Sequence, residues 1–216
     1  MRTAYMKASQ ELRDNPGQSA AFESVGHCVV LAGPGSGKTK TLTIKLARML
    51  AEDVKSPRGI ACITYSNECA RELRRRLQDL GVEENDCVFI GTIHSFSLKN
   101  IVAPFASMAG IEIPQPIKVA TQEEQRKAFE GAVTRVLGES AKAYQFKVPI
   151  DAYRRTHLDR NATGWNEHGD FAAVITDYEM RLRRAALIDF DDMMLIGLTL
   201  VESHKWVRRW QRNSPY

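Results

Sequence analysis

The run Ala32-Gly33-Pro34-Gly35-Ser36-Gly37-Lys38-Thr39 brings three glycines together with a lysine and a hydroxyl. That combination suits a polyphosphate. Gly33, Gly35 and Gly37 let successive backbone N–H groups turn inward with no Cβ in the way. Lys38 supplies a full positive charge for β and γ phosphates, and Thr39 offers a hydroxyl to Mg²⁺. Ala32 stands where the consensus loop has glycine, and its small side chain serves. Upstream, Gln18 lies in Asn15-Pro16-Gly17-Gln18-Ser19-Ala20-Ala21. Its amide both donates and accepts, as the adenine edge requires, so a Gln partnered with this loop selects ATP over GTP. The expected contacts of ATP and Mg²⁺ are therefore Gln18 and Ala32 to Thr39, with the chemistry resting on Lys38 and Thr39.

Such a loop works between a strand and a helix. His27-Cys28-Val29-Val30-Leu31 reads as a buried strand, and Lys38 to Leu50 carries Leu42, Leu46, Met49 and Leu50 at helical spacing. Ile60 to Tyr65 reads as the next strand. Ala70, Leu73, Leu77 and Leu80 then recur at helical spacing, and Gly81 stops that helix. Cys87 to Thr92 reads as a third strand. Strands alternating with helices predict parallel strands joined by crossover helices. From Ser97 to Ala186 the pattern is mainly helical, broken at Pro104, Pro114, Pro116 and Pro149. Thr121 and Glu124 have the spacing of a capping box. Asp189 reads as a helix N-cap, with Asp191 and Asp192 in the first turn, where carboxylates suit the helix dipole. A second reading makes Ala186-Leu187-Ile188-Asp189 a strand ending in the metal-binding acid of a complete small P-loop kinase or other NTPase.

Composition bounds the class. A chain of 216 residues holds one large domain or two small ones. Its 44% apolar and 26% charged content excludes disorder over most of its length. Thirty basic against 26 acidic residues give a net charge of +4, which permits a nucleic-acid partner without demanding one. No apolar run is long enough to cross a membrane, and Met1 to Arg13 lacks the core of a signal peptide, so no membrane partner and a cytoplasmic location are expected. Cys28, Cys62, Cys69 and Cys87 form no CxxC pair and read as reduced core cysteines. His27, His157, His168 and His204 have no ligand spacing.

In order and spacing these blocks resemble the first half of UvrD/Rep/PcrA-type superfamily 1 DNA helicases. Asn15 to Ala20 resembles the family's Q motif, and Ala32 to Thr39 its motif I. Thr64-Tyr65-Ser66-Asn67-Glu68-Cys69-Ala70-Arg71-Glu72-Leu73 resembles motif Ia, and Gly91-Thr92-Ile93-His94-Ser95-Phe96 motif Ib. Leu187 to Met194 resembles the block before the Walker B strand. The resemblance implies an α/β fold: a RecA-like P-loop NTPase sheet over 1–96 and 187–216, with an inserted, mainly helical domain over 97–186. It implies ATP-driven 3′-to-5′ movement on single-stranded DNA. A third reading is a non-catalytic subunit of a phage-defence or other complex, with a nuclease or other protein subunit as its partner. Lys40 joins the nucleotide contacts, in place of the arginine that commonly follows the loop.

The resemblance also implies a DNA-binding set: Thr64, Tyr65, Asn67, Thr92, His94 and Ser95. Thr64, Tyr65 and Thr92 end predicted parallel strands, the edge at which open α/β sheets bind ligands. The hydroxyls, the amide and the imidazole can donate to phosphates, and Tyr65 can stack on a base. Tyr65 replaces the usual phenylalanine and keeps a stacking face. Glu68 replaces the usual lysine and removes a positive charge from the expected DNA path. Arg71, Arg74, Arg75 and Arg76 read as a solvated helix face. The family's Walker B acid and arginine finger are expected beyond Tyr216, which predicts that these 216 residues alone bind nucleotide weakly and do not hydrolyse it.

Overall fold

The computed structural model describes residues 2–54, 58–82, 87–160 and 162–213. In chain order the elements are α1 (Arg2–Gln10), α2 (Pro16–Glu23), α3 (Lys38–Glu52), β1 (Ile60–Thr64), α4 (Asn67–Asp79), β2 (Val88–Thr92) and α5 (Ile93–Ser97). A π-helical turn (Leu98–Val102) and α6 (Ala103–Phe105) come next. The remainder is α7 (Gln122–Leu137), α8 (Ala143–Thr156), α9 (Gly169–Arg184), α10 (Phe190–Ser203) and α11 (Lys205–Asn213). The chain divides into two compact units, Met1–Phe96 with Arg208–Tyr216, and Ser97–Val207.

In the first unit β1 and β2 pair in parallel, from Ile60 opposite Val88 to Thr64 opposite Thr92. The expected crossover between them is α4. Its apolar residues recur at helical spacing, so Ala70, Leu73 and Leu77 share one face and are buried. They pack with Leu46 and Ala47 of α3, Cys62 of β1, Ile90 of β2, and Tyr5 and Val82. A smaller cluster of Leu12, Phe22 and Ile44 fastens the N-terminal helices to α3.

One expected strand is not formed. Residues 28–31 form no regular element, and Val29 and Leu31 are 86% and 90% exposed. An apolar run is buried as a strand only where a neighbour accepts and donates its backbone hydrogen bonds. Among the described residues only β1 and β2 pair as strands. Cys28 is exposed for the same reason, and Cys69 lies on the outer face of α4; of the four cysteines, all free thiols, only Cys62 belongs to the core.

In the second unit α7, α8 and α9 pack through Phe129, Ala132, Val133, Ile150, Tyr153, Val174, Ile175, Tyr178 and Leu182. The capping box of Thr121 with Glu124 is present at the start of α7. Helix α10 packs through Leu200 on Val102, Phe105 and Ala106. The segment from Leu187 to Val207 was expected with the first unit and instead belongs to the second, because the apolar face of α10 is covered by residues 98–106. The end of that expected return, 214–216, lies outside the described residues.

Asp189 caps α10, and with Asp192 it completes a capping box. Beneath the cap lies Arg154 of α8, only 3% exposed. Its guanidinium donates to Asp189 at 2.6 Å, Asp192 at 2.9 Å and Glu179 at 2.8 Å. Tyr178 donates to Asp189 at 2.8 Å and Arg183 to Asp192 at 2.9 Å. Burial pushes the Asp189 carboxyl up, but Arg154 and the bonds from the Asp192 amide and Tyr178 outweigh it and hold the group below its ordinary value of 3.8. A buried ion is costly once its partners are removed. Arg154→Ala is expected to destabilise the second unit by about 3–5 kcal/mol, read by urea unfolding. Because the folded Asp189 carboxyl titrates low, its contribution is complete above its ordinary value and is lost as pH falls below it. Asp189→Asn should therefore flatten the acid limb of stability against pH; an unchanged limb would refute that assignment.

Candidate functional site

Asn15 caps α2, its side chain accepting from the Gln18 amide at 3.2 Å, and Pro16 opens the helix with φ already suited. This places Gln18 in the first turn, half-buried. Its Nε2 donates to the carbonyl of Ser36 at 2.8 Å, so the two separated stretches meet inside the glycine-rich loop. The loop turns through Gly35 at φ 75° and Gly37 at φ 79°, both left-handed. The φ of Gly37 favours glycine, and a Cβ there would lie 2.6 Å from Gln18 Nε2, so the Gln18 amide would have to move.

Gly37 is also the N-cap of α3 and has no side chain to satisfy the first amides of that helix. Unsatisfied N–H groups and the helix dipole at one point form an anion site. The Lys38 ammonium bends over the loop and donates to the carbonyls of Ala32 at 2.8 Å and Gly33 at 2.6 Å. Ser36 Oγ donates to Gly33 O at 2.8 Å and tightens the turn. Pro34, Gly35 and Thr39 are exposed around it. Lys40 is committed elsewhere: its ammonium lies 2.6 Å from Glu11, whose carboxyl it holds below its ordinary value. A cleft of about 610 Å³ opens beside the loop, lined by Gln18, Ala32, Ser36 and Lys38 and walled by Leu46 and Met49. That volume falls within the usual range for small-molecule sites. Among the described residues no cluster of three His, Cys, Asp or Glu side chains is arranged to hold a metal ion.

The parallel register brings Thr64 and Thr92 to the same end of the strand pair. Their hydroxyls serve the turns. Thr64 Oγ1 donates toward Ser66 O at 3.0 Å and Gly91 O at 3.3 Å. Thr92 Oγ1 accepts from the Ser95 amide at 3.2 Å, and Ser95 Oγ donates to Thr92 O at 2.8 Å. Ser66 caps α4. Tyr65 at this edge is fully exposed, Asn67 is exposed in the first turn of α4, and His94 is half-buried in α5. The arginines of α4 form the solvated face expected: Arg71 pairs with Glu68, Arg75 with Glu72 and Asp79, and Arg76 with Glu72. Arg74 instead donates to the Ile90 carbonyl.

Asp189 has no free oxygen for a metal, since both carboxylate oxygens are engaged by Arg154, Tyr178 and the Asp192 amide. The small-kinase reading is thereby corrected: these acids form a helix start and an ion-pair cluster. Two features escaped sequence reading, the buried arginine at 154 and the contacts of Lys45 at the end of α2. Nothing local marks either residue, because each acts on a distant helix.

A protein-family model described as UvrD/REP helicase N-terminal domain matches residues 14–216. The chain is 29% identical, over 95% of its length, to the ATP-dependent DNA helicase Rep of Escherichia coli, and covers 31% of that protein. It is 28% identical, over 92% of its length, to the ATP-dependent DNA helicase PcrA of Staphylococcus aureus, and covers 28% of it. The chain thus spans about three tenths of the curated relatives it matches. Among the described residues no helix is long and apolar enough to cross a membrane.

The loop geometry predicts a contrast between two glycines. Gly37→Ala is expected to cost about 1–3 kcal/mol through its left-handed backbone, more if Gln18 cannot move. Gly33→Ala, with open space around it and no positive φ, is expected to change stability by less than about 0.5 kcal/mol. Urea unfolding of both variants checks this.

Proposed function

Because the chain belongs to the UvrD/REP helicase N-terminal domain family, we propose that it is the nucleotide-binding part of an ATP-dependent helicase that moves along single-stranded DNA in the 3′-to-5′ direction. The observation that carries the nucleotide half is the Gln18–Ser36 bond, which joins the residue suited to read a base to the loop suited to hold phosphates. On this reading the first unit is the core of a RecA-like motor domain, and residues 97–207 are its helical insertion.

The residues divide the work by chemistry. Backbone amides at the start of α3 and the loop from Ala32 to Gly37 bind the phosphates. Lys38 exchanges two neutral carbonyls for phosphate oxygens, a stronger charge-assisted pairing. The Thr39 hydroxyl would be one ligand of Mg²⁺, which supplies neutralisation of charge between the β and γ phosphates. Gln18 reads the adenine edge and discriminates against guanine. Tyr65 stacks on a base at the edge formed by Thr64 and Thr92. Asn67 and His94 meet the phosphate backbone, and Thr92 and Ser95 hold the turn that presents His94. Hydrolysis also needs an acid on the Mg²⁺ shell and a positive charge opposite Lys38. Asp189, committed to Arg154 and Tyr178, does not serve as that acid.

The test is binding by the chain itself. Lys38→Ala is expected to abolish measurable ATP binding in a fluorescence titration, and Gln18→Ala to erase a preference for ATP over GTP. Tyr65→Ala should weaken a labelled single-stranded oligonucleotide by about 1–3 kcal/mol with no sequence preference. Binding that does not weaken with salt would overturn the DNA half.

A further inference from the structure

Helix α2 carries Gln18 but is short for a helix that must stand alone. It has eight residues, and isolated helices below about 12–15 residues are marginal in water. It also has no basic residue in its last turn to meet its terminal carbonyls. The missing cation comes from α3. Lys45 lies two helical turns beyond Lys38, on the same face, and both line the cleft. Its ammonium donates to the Ala21 carbonyl at 2.8 Å and the Ser24 carbonyl at 2.6 Å, and also contacts Ser24 Oγ. An ammonium has three protons, so these three acceptors account for all of them.

Neighbouring contacts brace the same junction. Arg48, one turn on, lies 4.4 Å over the Phe22 ring and 3.3 Å from Glu23. Both contacts are to side chains of α2, the buried Phe22 and the exposed Glu23. Lys45 alone among them reaches the backbone at the end of the helix. The opposite end is held by the Gln18–Ser36 bond. Lys38 and Lys45 therefore divide one helix face: the first lies at the phosphate loop, the second on the helix that carries the base reader.

We propose that Lys45 is a positioning residue for nucleotide selectivity: by capping α2 from α3, it fixes Gln18 against the loop. This rests on the reading of Gln18 as the adenine contact. Loss of Lys45 leaves the anion site of α3 intact and frees α2 to shift, so the discrimination between bases falls while affinity for phosphates stays. A lysine that served only the general stability of the unit would lower both together.

The experiment compares Lys45→Met and Lys45→Arg with the unmodified chain. Competition against a fluorescent ATP analogue reads the affinities for ATP, GTP and inorganic tripolyphosphate. Hydrogen exchange of the α2 amides reads the clamp with no nucleotide present. For Lys45→Met the ATP-to-GTP ratio is expected to fall to within about twofold of unity, tripolyphosphate affinity to stay within about twofold, and α2 exchange to rise at least about tenfold, which is a loss of about 1.4 kcal/mol of protection. Lys45→Arg keeps the cation and should keep most of the ratio. If Lys45→Met retains both the ratio and the exchange of the unmodified chain, the proposal fails and the nucleotide reading stands. Equal losses of tripolyphosphate and ATP affinity also refute it. Absence of any ATP preference in the unmodified chain, with no effect of Gln18→Ala, overturns the reading of Gln18 and the proposal with it.

Discussion

Everything in the candidate nucleotide site depends on the backbone of Gly37. That residue must be left-handed to point the first amides of α3 into the loop, and it must lack a side chain for Gln18 to pass. Both demands come from the same event, the arrival of α2 beside the helix start. A loop with a Cβ there could still turn, at a cost in strain, but it would push against the Gln18 amide that donates to the Ser36 carbonyl. The glycine is therefore the meeting point of two stretches that are far apart in sequence. The exposed residues Pro34 and Gly35 carry no such double burden.

Charge fastens helices in both units, but on different energetic terms. Lys40–Glu11 and Arg48–Glu23 are pairs with exposed carboxylates, and such pairs are each worth about 0–1 kcal/mol. They guide the N-terminal helices onto α3, while Leu12, Phe22 and Ile44 supply the apolar contact. Arg154 is of another kind. It is buried beside four acids, Glu179, Asp189, Asp191 and Asp192, and a tyrosine. That cluster is what holds the cap of α10 against α8 and α9. A network of that sort adds less to net stability than it removes when broken, and it fixes which helix faces meet.

The sequence was most readable where chemistry is local. The capping box at Thr121, the N-cap at Asp189, the helix beginning at Lys38, the crossover helix over 67–79 and the end of β2 at Thr92 all follow from residues a few positions apart. The same holds for the solvated arginines of α4, whose acidic partners lie three or four residues away. Reading failed where the decision is made at a distance. His27 to Leu31 has the composition of a buried strand, but composition cannot supply a hydrogen-bonding neighbour. Leu187 to Met194 resembles a family block and so points to the first unit, whereas the apolar face of the helix it opens is covered by residues 98–106. Arg154 and Lys45 look like ordinary surface cations until the helices they cap are in place.

The first unit also shows how two candidate sites can share one rigid part. Ile60, Ala61 and Cys62 of β1 line the cleft, and the strand ends at Thr64, next to the exposed ring of Tyr65. A five-residue strand spans about 17 Å at ~3.3 Å per residue, so cleft and ring are separated by little more than its length. Its pairing with β2 and the packing of Cys62 against Leu73 and Ile90 stiffen the connection. Thr64 and Thr92, whose hydroxyls hold the turns at the end of the pair, tie the edge to the strands that carry it. The strand is five residues long; its Cys62 packs in the core, and Tyr65 just past its end reaches solvent.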